Sequence, residues 1–195
     1  MRIIAGRLGG RQFKAPRGRS ARPTQDRVRE ALFSALAPRI GGSVFLDLYA
    51  GSGSVGMEAW SRGAAAVWCV ESHPATARLL EHNARALGID EGLRVVRTET
   101  ERFLRRNADG RAFDVVFADP PYGLLSEAAA GAGTRGGAIL NRLKREAWLT
   151  EDAVVIFELE ISEAFEAPSP WQRVKQRRYG KSRLDFLQLK ERNGQ

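Results

Sequence analysis

The residues Asp114-Val-Val-Phe-Ala-Asp-Pro-Pro-Tyr122 combine a short apolar run with an acid, two prolines and an aromatic ring. The apolar residues 115–118 predict a buried strand, which has to end at Pro120 because proline has no N–H for a sheet ladder. The prolines also hold the turn in an extended geometry. Asp119 and Tyr122 are therefore expected at the carboxyl tip of a strand, where open α/β sheets bind ligands. Taken alone, the same residues would also fit an ordinary proline-terminated loop.

The rest of the chain repeats this strand pattern. Short apolar or β-branched runs separated by helical intervals predict a doubly wound, mostly parallel α/β sheet. The five expected parallel strands are 44–48, 66–70, 93–96, 115–118 and 153–157. Two further runs, 171–179 and 183–189, are joined by only three residues, which permits an antiparallel hairpin and excludes a helical crossover. We therefore expect a seven-stranded sheet that ends in an antiparallel hairpin.

The positive charge is concentrated at the N-terminus. Residues 1–39 contain ten Arg or Lys side chains against Asp26 and Glu30, which gives +8, the net charge of the whole chain. Residues 40–195 are neutral, with 21 basic and 21 acidic side chains. A basic extension on a neutral body indicates a polyanionic partner, most simply nucleic acid. An arginine-rich solvated surface without any partner is the alternative.

Composition also limits the class of protein. Cys69 is the single cysteine, so an internal disulfide is excluded and a reducing compartment, the cytoplasm, is expected. No apolar run approaches the roughly 18 residues of a membrane span, and the N-terminus does not match a secretory signal. His73 and His82 have no cysteine or carboxylate neighbours at metal-ligand spacing, so we expect no metal.

A glycine-rich loop follows the first predicted strand. Gly51-Ser-Gly-Ser-Val-Gly56 is a G-x-G-x-x-G sequence between a strand and a helix. Its glycines let the backbone approach a ligand closely, and the helix N-terminus favours an anion. Glu71 ends the next strand, 20 residues after Gly51, where a ribose diol binds in nucleotide-binding sheets. These features alone are compatible with a nicotinamide-dependent oxidoreductase.

Asp47 and the length of the chain favour a different ligand. Asp47 lies within the first strand, where its carboxylate would repel a pyrophosphate but could accept hydrogen bonds from an ammonium group. The nucleotide-binding part nearly fills the chain and leaves no substrate domain for a dehydrogenase. S-adenosylmethionine fits both observations, because it joins a nucleoside to an amino acid without phosphates. Glu99 and Thr100, after the third strand, are candidates to hold its adenine, and Glu101 is an equally good acid.

Several motifs carry a resemblance to one enzyme family. The segments 46–53 and 119–122, with Glu71 between them, resemble the class I S-adenosylmethionine-dependent methyltransferases that methylate amino groups. Arg2-Ile-Ile-Ala-Gly6, Arg22-Pro-Thr-Gln-Asp-Arg-Val-Arg-Glu-Ala-Leu32 and Ser61-Arg-Gly-Ala64 are similar to the bacterial 16S ribosomal RNA guanine-N2 methyltransferase family. The resemblance covers nearly the whole chain. It implies a Rossmann-like methyltransferase domain over 41–195 and a small RNA-binding arm, a hairpin and a helix, over 1–40.

The resemblance also implies roles for individual residues. Asp47, Gly51 and Gly53 would border the methionine part of S-adenosylmethionine, Glu71 would hold the ribose, and Glu99 with Thr100 would lie beside the adenine. Asp119, Pro120 and Tyr122 would form the catalytic site for the target base. The expected RNA contacts are Pro121, Arg7, Arg11, Arg22, Thr24 and Arg27. The products would be S-adenosylhomocysteine and methylated small-subunit ribosomal RNA, with a monomeric enzyme acting on an assembled or assembling 30S particle.

The chemistry of an aromatic amine explains why these residue types suit the reaction. Its lone pair is delocalised, so two acceptors on the N–H groups favour a more nucleophilic nitrogen. The Asp119 carboxylate and the Pro120 carbonyl are suited to this role, and Tyr122 could stack on the base. A DNA adenine or protein glutamine methyltransferase would use a similar strand tip. A non-enzymatic RNA-binding protein would need only the basic arm.

Overall fold

The computed structural model describes residues 1–16, 23–106, 108, 110–129 and 133–190. Its helices are α1 (Pro23–Ile40), α2 (Ser54–Ser61), α3 (Pro74–Ala86), α4 (Thr100–Leu104) and α5 (Arg135–Arg145), and a 3₁₀ turn spans Leu124–Ser126. Its strands are β1 (Val44–Asp47), β2 (Ala66–Glu71), β3 (Leu93–Arg97), β4 (Phe113–Ala118), β5 (Ala128–Ala129), β6 (Gly133–Thr134), β7 (Leu149–Glu160), β8 (Trp171–Tyr179) and β9 (Ser182–Leu189). Within this part of the chain, none of the helices is both long and apolar enough to cross a bilayer.

Seven of the strands form one sheet, in the order β3-β2-β1-β4-β7-β9-β8. Neighbouring strands from β3 to β7 are parallel, and β9 pairs antiparallel with both β7 and β8. This confirms the predicted mostly parallel, seven-stranded sheet with a C-terminal antiparallel hairpin. The order of the strands reverses between β1 and β4, which is where sheets of this kind open a crevice for a ligand.

Strand β7 is longer than the sequence predicts. It covers Leu149–Glu160, whereas the apolar run indicates only 153–157. Its last residues pair with β9, up to Glu160 opposite Ser182. Backbone pairing does not require apolar side chains, so the strand continues after the apolar pattern has stopped. This correction places Glu158 inside the sheet, near its carboxyl edge.

Helices cover both faces of the sheet, as parallel strands require. Helices α1, α2 and α3 pack on one face, where the Phe33 ring of α1 stacks on Phe45 of β1 at 6.3 Å between centroids. Helices α4 and α5 pack on the other face, where the Phe103 ring lies 4.8 Å from that of Trp148. The core is therefore two apolar layers separated by the sheet, and the site can only form at its edges.

The N-terminal residues 1–16 pack against α2 and α3. Ile3 and Phe13 join a third apolar cluster with Met57 of α2 and Leu87 at the end of α3. A single antiparallel bridge between residues 2 and 12 is the only strand pairing within this segment. The expected basic arm is thus a folded extension that contacts the body of the protein.

Glu58 of α2 anchors this segment through polar contacts. Its side chain is fully buried and accepts hydrogen bonds from the backbone N–H groups of Ile4, at 2.7 Å, and Ala5, at 3.0 Å. Arg62 Nε donates to the same carboxylate at 2.7 Å, and Arg29 Nε lies 3.9 Å from it. A buried carboxylate requires such partners, because its desolvation is otherwise too costly.

We predict that Glu58→Ala lowers the free energy of unfolding by about 3–5 kcal/mol. The substitution leaves two backbone N–H groups without an acceptor and removes one of the two carboxylates beside the buried Arg29. Glu30→Ala removes an exposed acid of α1 and should change that free energy by less than about 0.5 kcal/mol. Urea unfolding followed by circular dichroism measures both values. Equal unfolding midpoints for the two variants would contradict the anchoring role of Glu58.

Candidate active site

Four acidic side chains lie at the ends of neighbouring strands, along one edge of the sheet. Following the sheet, they are Glu71 of β2, Asp47 of β1, Asp119 directly after β4, and Glu158 of β7. The four strands are parallel, so their carboxyl ends share one edge. Side chains alternate between the two faces of a strand, so an acid lies on the same face as the residue two positions before it. For all four acids, that residue packs against α1, α2 and α3, so the four acids lie on this face of the sheet.

Asp47 is the most deeply buried member of this row, with 1% of its surface exposed. The backbone N–H groups of Gly56 and Tyr49 donate to its carboxylate. Among the described residues, its Oδ1 atom has no hydrogen-bond partner. Burial raises the pKa of Asp47 to about 8, and the charges of Asp119 and Glu71 also raise it. The two backbone N–H groups lower this pKa but do not offset the effect of burial.

Glu71 fixes the start of the glycine loop. Gly51 N–H donates to Glu71 Oε2 at 2.9 Å, and His73 N–H donates to Oε1 at 2.7 Å. Gly51 has a φ of +54°, and a Cβ atom there would meet nothing within 4 Å. The space above Gly51 is thus open, and both Glu71 oxygens keep a lone pair for further donors.

The second glycine of the loop is required by packing. Gly53 has a φ of +87°, and a Cβ atom there would lie 2.7 Å from Leu80 Cγ of α3. Asn83, which was not among the residues predicted from the sequence, is buried in α3 and donates from Nδ2 to the carbonyl of Ser52 at 3.2 Å. The same Nδ2 donates to the carbonyl of Lys14 at 3.0 Å. A polar residue on the apolar face of that helix was the signal that could have identified it.

The residues predicted to hold adenine differ in what they can offer. The Thr100 side chain is buried, and its hydroxyl donates to the carbonyl of Leu48 at 2.7 Å. Tyr49 hydrogen-bonds the same hydroxyl, and burial raises the pKa of Tyr49 to about 12. Thr100 therefore supports the loop between β1 and α2 with its side chain. Its contact with adenine remains a prediction.

Glu99 and Glu101, near the start of α4, are the two candidate acids for contact with adenine. Glu101 Oε1 accepts from Arg135 Nη1 of α5 at 3.0 Å, so this carboxylate is already engaged. Glu99 precedes α4, is exposed and forms no side-chain capping hydrogen bond. These contacts favour Glu99 over Glu101 as the acid that could meet a ligand.

The turn formed by residues 119–122 combines a buried proline with exposed side chains that a ligand could contact. Pro120 is buried, which fixes the turn, whereas Asp119 and Pro121 are exposed. Tyr122 has 64% of its surface exposed, so its ring is available to a ligand and is not part of the core. Glu163 was not predicted from the sequence; its Oε1 accepts from Ser126 N–H at 3.2 Å and from the Ser126 hydroxyl at 2.9 Å. Glu163 thereby holds the segment that follows Tyr122.

Glu158 is a further acid of the site that was not predicted from the sequence, because the predicted strand ended at residue 157. The Ser182 hydroxyl of β9 donates to its carboxylate. Burial raises the pKa of Glu158 to about 8, and the neighbouring Asp119 charge also raises it. Asp119 therefore lies between two carboxyl groups, Asp47 on the side of the glycine loop and Glu158 on the other side.

The expected RNA contacts of the N-terminal extension are partly engaged within the protein. Arg7 Nη2 donates to the carbonyl of Trp60 at 3.1 Å, and its guanidinium lies 4.2 Å from the Trp60 ring centre. Arg11 Nη1 donates to the carbonyl of Leu87 at 2.8 Å. Both side chains thus cap helix C-termini, which a cation stabilises. Both remain exposed, and their contact with RNA stays a prediction.

The remaining expected contacts lie around α1. Arg27 is exposed on this helix, and Thr24 lies in its first turn. Arg22 lies outside the described residues.

A second basic surface lies within residues 40–195, although the net charge of this range is zero. The segment 171–181, which covers the edge strand β8, contains five basic side chains and no acid.

Comparisons with known proteins agree with this geometry. The family described as "Conserved hypothetical protein 95" matches residues 1–188. The chain is 36% identical over 174 residues to "Ribosomal RNA small subunit methyltransferase D" of Escherichia coli (strain K12), covering 88% of this chain and 81% of that protein. It is 35% identical over 182 residues to the protein of the same name from Haemophilus influenzae, covering 92% and 89%. The solved structure of Escherichia coli yhhF, described as a candidate methyltransferase, superposes with a TM-score of 0.80 at 33% identity and covers 97% of each chain.

We predict that Asp47→Asn removes a pH-dependent cost to stability. The pKa of Asp47 rises from 3.8 to about 8 on folding, so the ligand-free protein loses stability as the pH rises between these values. The loss is at most about 1.4 kcal/mol for each pH unit. Asparagine can keep both backbone hydrogen bonds through its carbonyl oxygen and does not ionise.

Urea unfolding at pH 5, 6.5 and 8 should therefore show that Asp47→Asn gains stability relative to the wild type as the pH rises. Asp90→Asn, which changes an exposed acid before β3 at the opposite edge of the sheet, is the control and should follow the wild type. Parallel curves for the wild type and Asp47→Asn would rule out an elevated pKa at Asp47.

Proposed function

Since this chain belongs to the protein family described as "Conserved hypothetical protein 95", we propose that it transfers a methyl group from S-adenosylmethionine to the 2-amino group of a guanine in 16S ribosomal RNA. The observation that carries this proposal is the row of Glu71, Asp47 and Asp119 on adjacent strands. These acids suit, in turn, a ribose diol, an ammonium group and the N–H groups of a target amine. The named relatives, which act on small-subunit ribosomal RNA, support the same substrate.

The residues present fit S-adenosylmethionine. Asp47 Oδ1 is a buried acceptor that has no partner among the described residues, as an ammonium-binding atom would be in the free protein. Glu71 keeps lone pairs for two ribose hydroxyls, and Glu99 is the exposed acid on the adenine side. The open space at Gly51 leaves room between them. When bound, S-adenosylmethionine supplies an electrophilic methyl group on a sulfonium.

The catalytic part of the chain acts on the target amine. The Asp119 carboxylate and the Pro120 carbonyl would accept its two N–H groups and localise the nitrogen lone pair. Because Pro120 is buried in a turn that two prolines restrict, this acceptor pair is held in place before the base arrives. Such positioning, together with fixed dipoles, supplies most of the rate acceleration in this kind of site. Asp119 would then accept the proton that the methylated nitrogen releases.

The target base has to leave its stack to reach this edge. Tyr122, with 64% of its surface exposed, offers a ring on which an unstacked base can lie. Such stacking contributes about 1–3 kcal/mol for each base. Single-stranded loops and bulges present bases in this way, so a loop guanine is the proposed target. The ribosomal RNA would be part of a 30S particle in the cytoplasm, and the enzyme would act as a monomer.

Two basic surfaces would hold the RNA backbone. One consists of the N-terminal extension and α1, where Arg7, Arg11 and Arg27 are exposed. The other is β8, whose turn with β9 lies at the same edge as Asp119, because Ser182 pairs with Glu160 at the carboxyl end of β7. Exposed Arg177 and Arg178 precede that turn. The phosphates on both sides of the target nucleotide could therefore be bound together.

We predict that Asp119→Ala lowers kcat by at least about 100-fold, because the target amine loses an acceptor. Labelled S-adenosylmethionine and small-subunit particles that lack the modification would be incubated with enzyme, and the nucleosides then separated by mass spectrometry. The wild type should yield 2-methylguanosine, and Asp119→Ala should bind particles within about twofold of the wild-type affinity. Asp90→Asn should keep the wild-type rate.

Three results would contradict the proposed function. Labelled adenine or labelled protein would indicate another amino-methyltransferase. Calorimetric binding of NAD without binding of S-adenosylmethionine would indicate an oxidoreductase. Full turnover by Asp119→Ala would remove this residue from the reaction.

The salt dependence of RNA binding tests the two basic surfaces. We predict that Arg27→Ala and Arg177→Ala each reduce the slope of log affinity against log salt concentration by about one unit, because each loses one phosphate contact. Arg94→Ala is the matched control and should not change the slope. This exposed arginine belongs to β3, the outer strand on the side of the sheet opposite β8. Filter binding to small-subunit particles between low and physiological salt measures the slopes. Equal slopes for all three variants would contradict both surfaces.

A further inference from the structure

Glu158 lies next to Asp119 across the junction of β4 and β7. The last paired residues of these strands are Ala118 and Phe157, so Asp119 and Glu158 come next in register. Neighbouring strands are about 4.8 Å apart, and both acids belong to the face beneath α1, α2 and α3. The two carboxyl groups therefore face the same space at the edge of the sheet.

The surroundings of Glu158 disfavour the charged form of its carboxyl group. In the part of the chain that the structure describes, the groups that act on its carboxyl are Asp119 and the hydroxyl of Ser182, and neither is basic. Burial and the adjacent Asp119 charge keep Glu158 protonated at neutral pH in the free protein, so its charged form is favoured only when a ligand supplies N–H donors. Glu58, another buried acid with charged neighbours, differs in having a cationic partner, Arg62.

The position of Glu158 relative to the cofactor side indicates which part of a base it would meet. Asp47 and the glycine loop lie on the β1 side of Asp119, and Glu158 lies on the β7 side. A base whose amino group is held at Asp119 can extend its ring along this edge of the sheet, on the side away from the glycine loop and towards β7. In guanine, the ring atom next to the carbon that bears the 2-amino group is N1, which carries a hydrogen.

We propose that the Glu158 carboxylate accepts the N1–H of the target guanine and so selects guanine over adenine. The inference rests on the proposed function. Asp119 and Glu158 together form a row of acceptors that matches the row of donors formed by the 2-amino group and N1–H. Adenine has no hydrogen on N1, so its lone pair would face a carboxylate and be repelled. Glu158 is thus a specificity-determining residue, distinct from the acceptors of the reacting amine.

The test compares guanine with 2-aminopurine, which keeps the 2-amino group but has no hydrogen on N1. The nucleotide that the wild-type enzyme labels is first mapped, and small-subunit particles are reconstituted with 2-aminopurine at that position. The wild type should prefer guanine in kcat/KM by at least about tenfold, the discrimination expected of a good base contact. Glu158→Leu should reduce this preference to near one, and mainly through its rate on guanine.

Two variants serve as matched comparisons. Glu158→Gln should keep much of the preference, because its amide oxygen can accept N1–H. Glu151→Gln changes an exposed acid at the other end of β7 and should keep the wild-type preference. If Glu158→Leu retains the wild-type preference, Glu158 does not contact N1–H. If the wild type labels no RNA, the proposed function fails and this inference fails with it.

A pH profile provides a second measurement that does not depend on Glu158→Leu being folded. At saturating S-adenosylmethionine, wild-type kcat/KM on guanine should rise as the pH approaches about 8, because the ionised Glu158 carboxylate accepts N1–H more strongly than the protonated acid does. Glu158→Gln should lose this rise, since its amide does not titrate. Identical profiles for the two enzymes would overturn the proposal.

Discussion

The buried carboxyl group of Asp47 imposes the electrostatic constraint on which the site depends. A fold normally avoids an acid that is fully buried, lacks a cationic partner and stands beside two other acids. Here the parallel strands bring Glu71, Asp47 and Asp119 to one edge, and the described residues supply only backbone N–H groups to Asp47. The cost of this arrangement is borne in the ligand-free protein. Under the proposed function, in which Asp47 binds the ammonium group of S-adenosylmethionine, this cost would be recovered when that positively charged group binds.

The remainder of the protein keeps this edge rigid through contacts that reach across long distances in the chain. Glu71 ties the glycine loop to the end of β2, and Asn83 ties it to α3 and to the N-terminal extension. Glu163 holds the segment after Tyr122. Each of these polar residues is bonded to backbone groups, so each fixes a loop whose own sequence is too rich in glycine, alanine or proline to fix itself.

The sequence predicted the architecture well because apolar runs mark buried parallel strands. It also predicted three of the four acids in the row, since Asp47, Glu71 and Asp119 each follow or end an apolar run. It missed Glu158, because pairing with β9 extends β7 beyond its apolar part. It missed Glu58 and Asn83 for a related reason, as their partners are backbone groups about 50 to 70 residues away in the chain. Contacts of that kind leave no periodic pattern in the sequence.

The attachment of the N-terminal extension has a consequence for how the protein is made. Residues 1–16 leave the ribosome before α2 and α3, because the carboxylate that binds Ile4 is 54 residues downstream and the carbonyl that binds Arg11 is 76 residues downstream. A nascent chain therefore exposes a basic, partly apolar segment until α2 and α3 have been translated and folded. During that interval the emerging basic segment lies close to ribosomal RNA, the same class of polyanion as the proposed substrate.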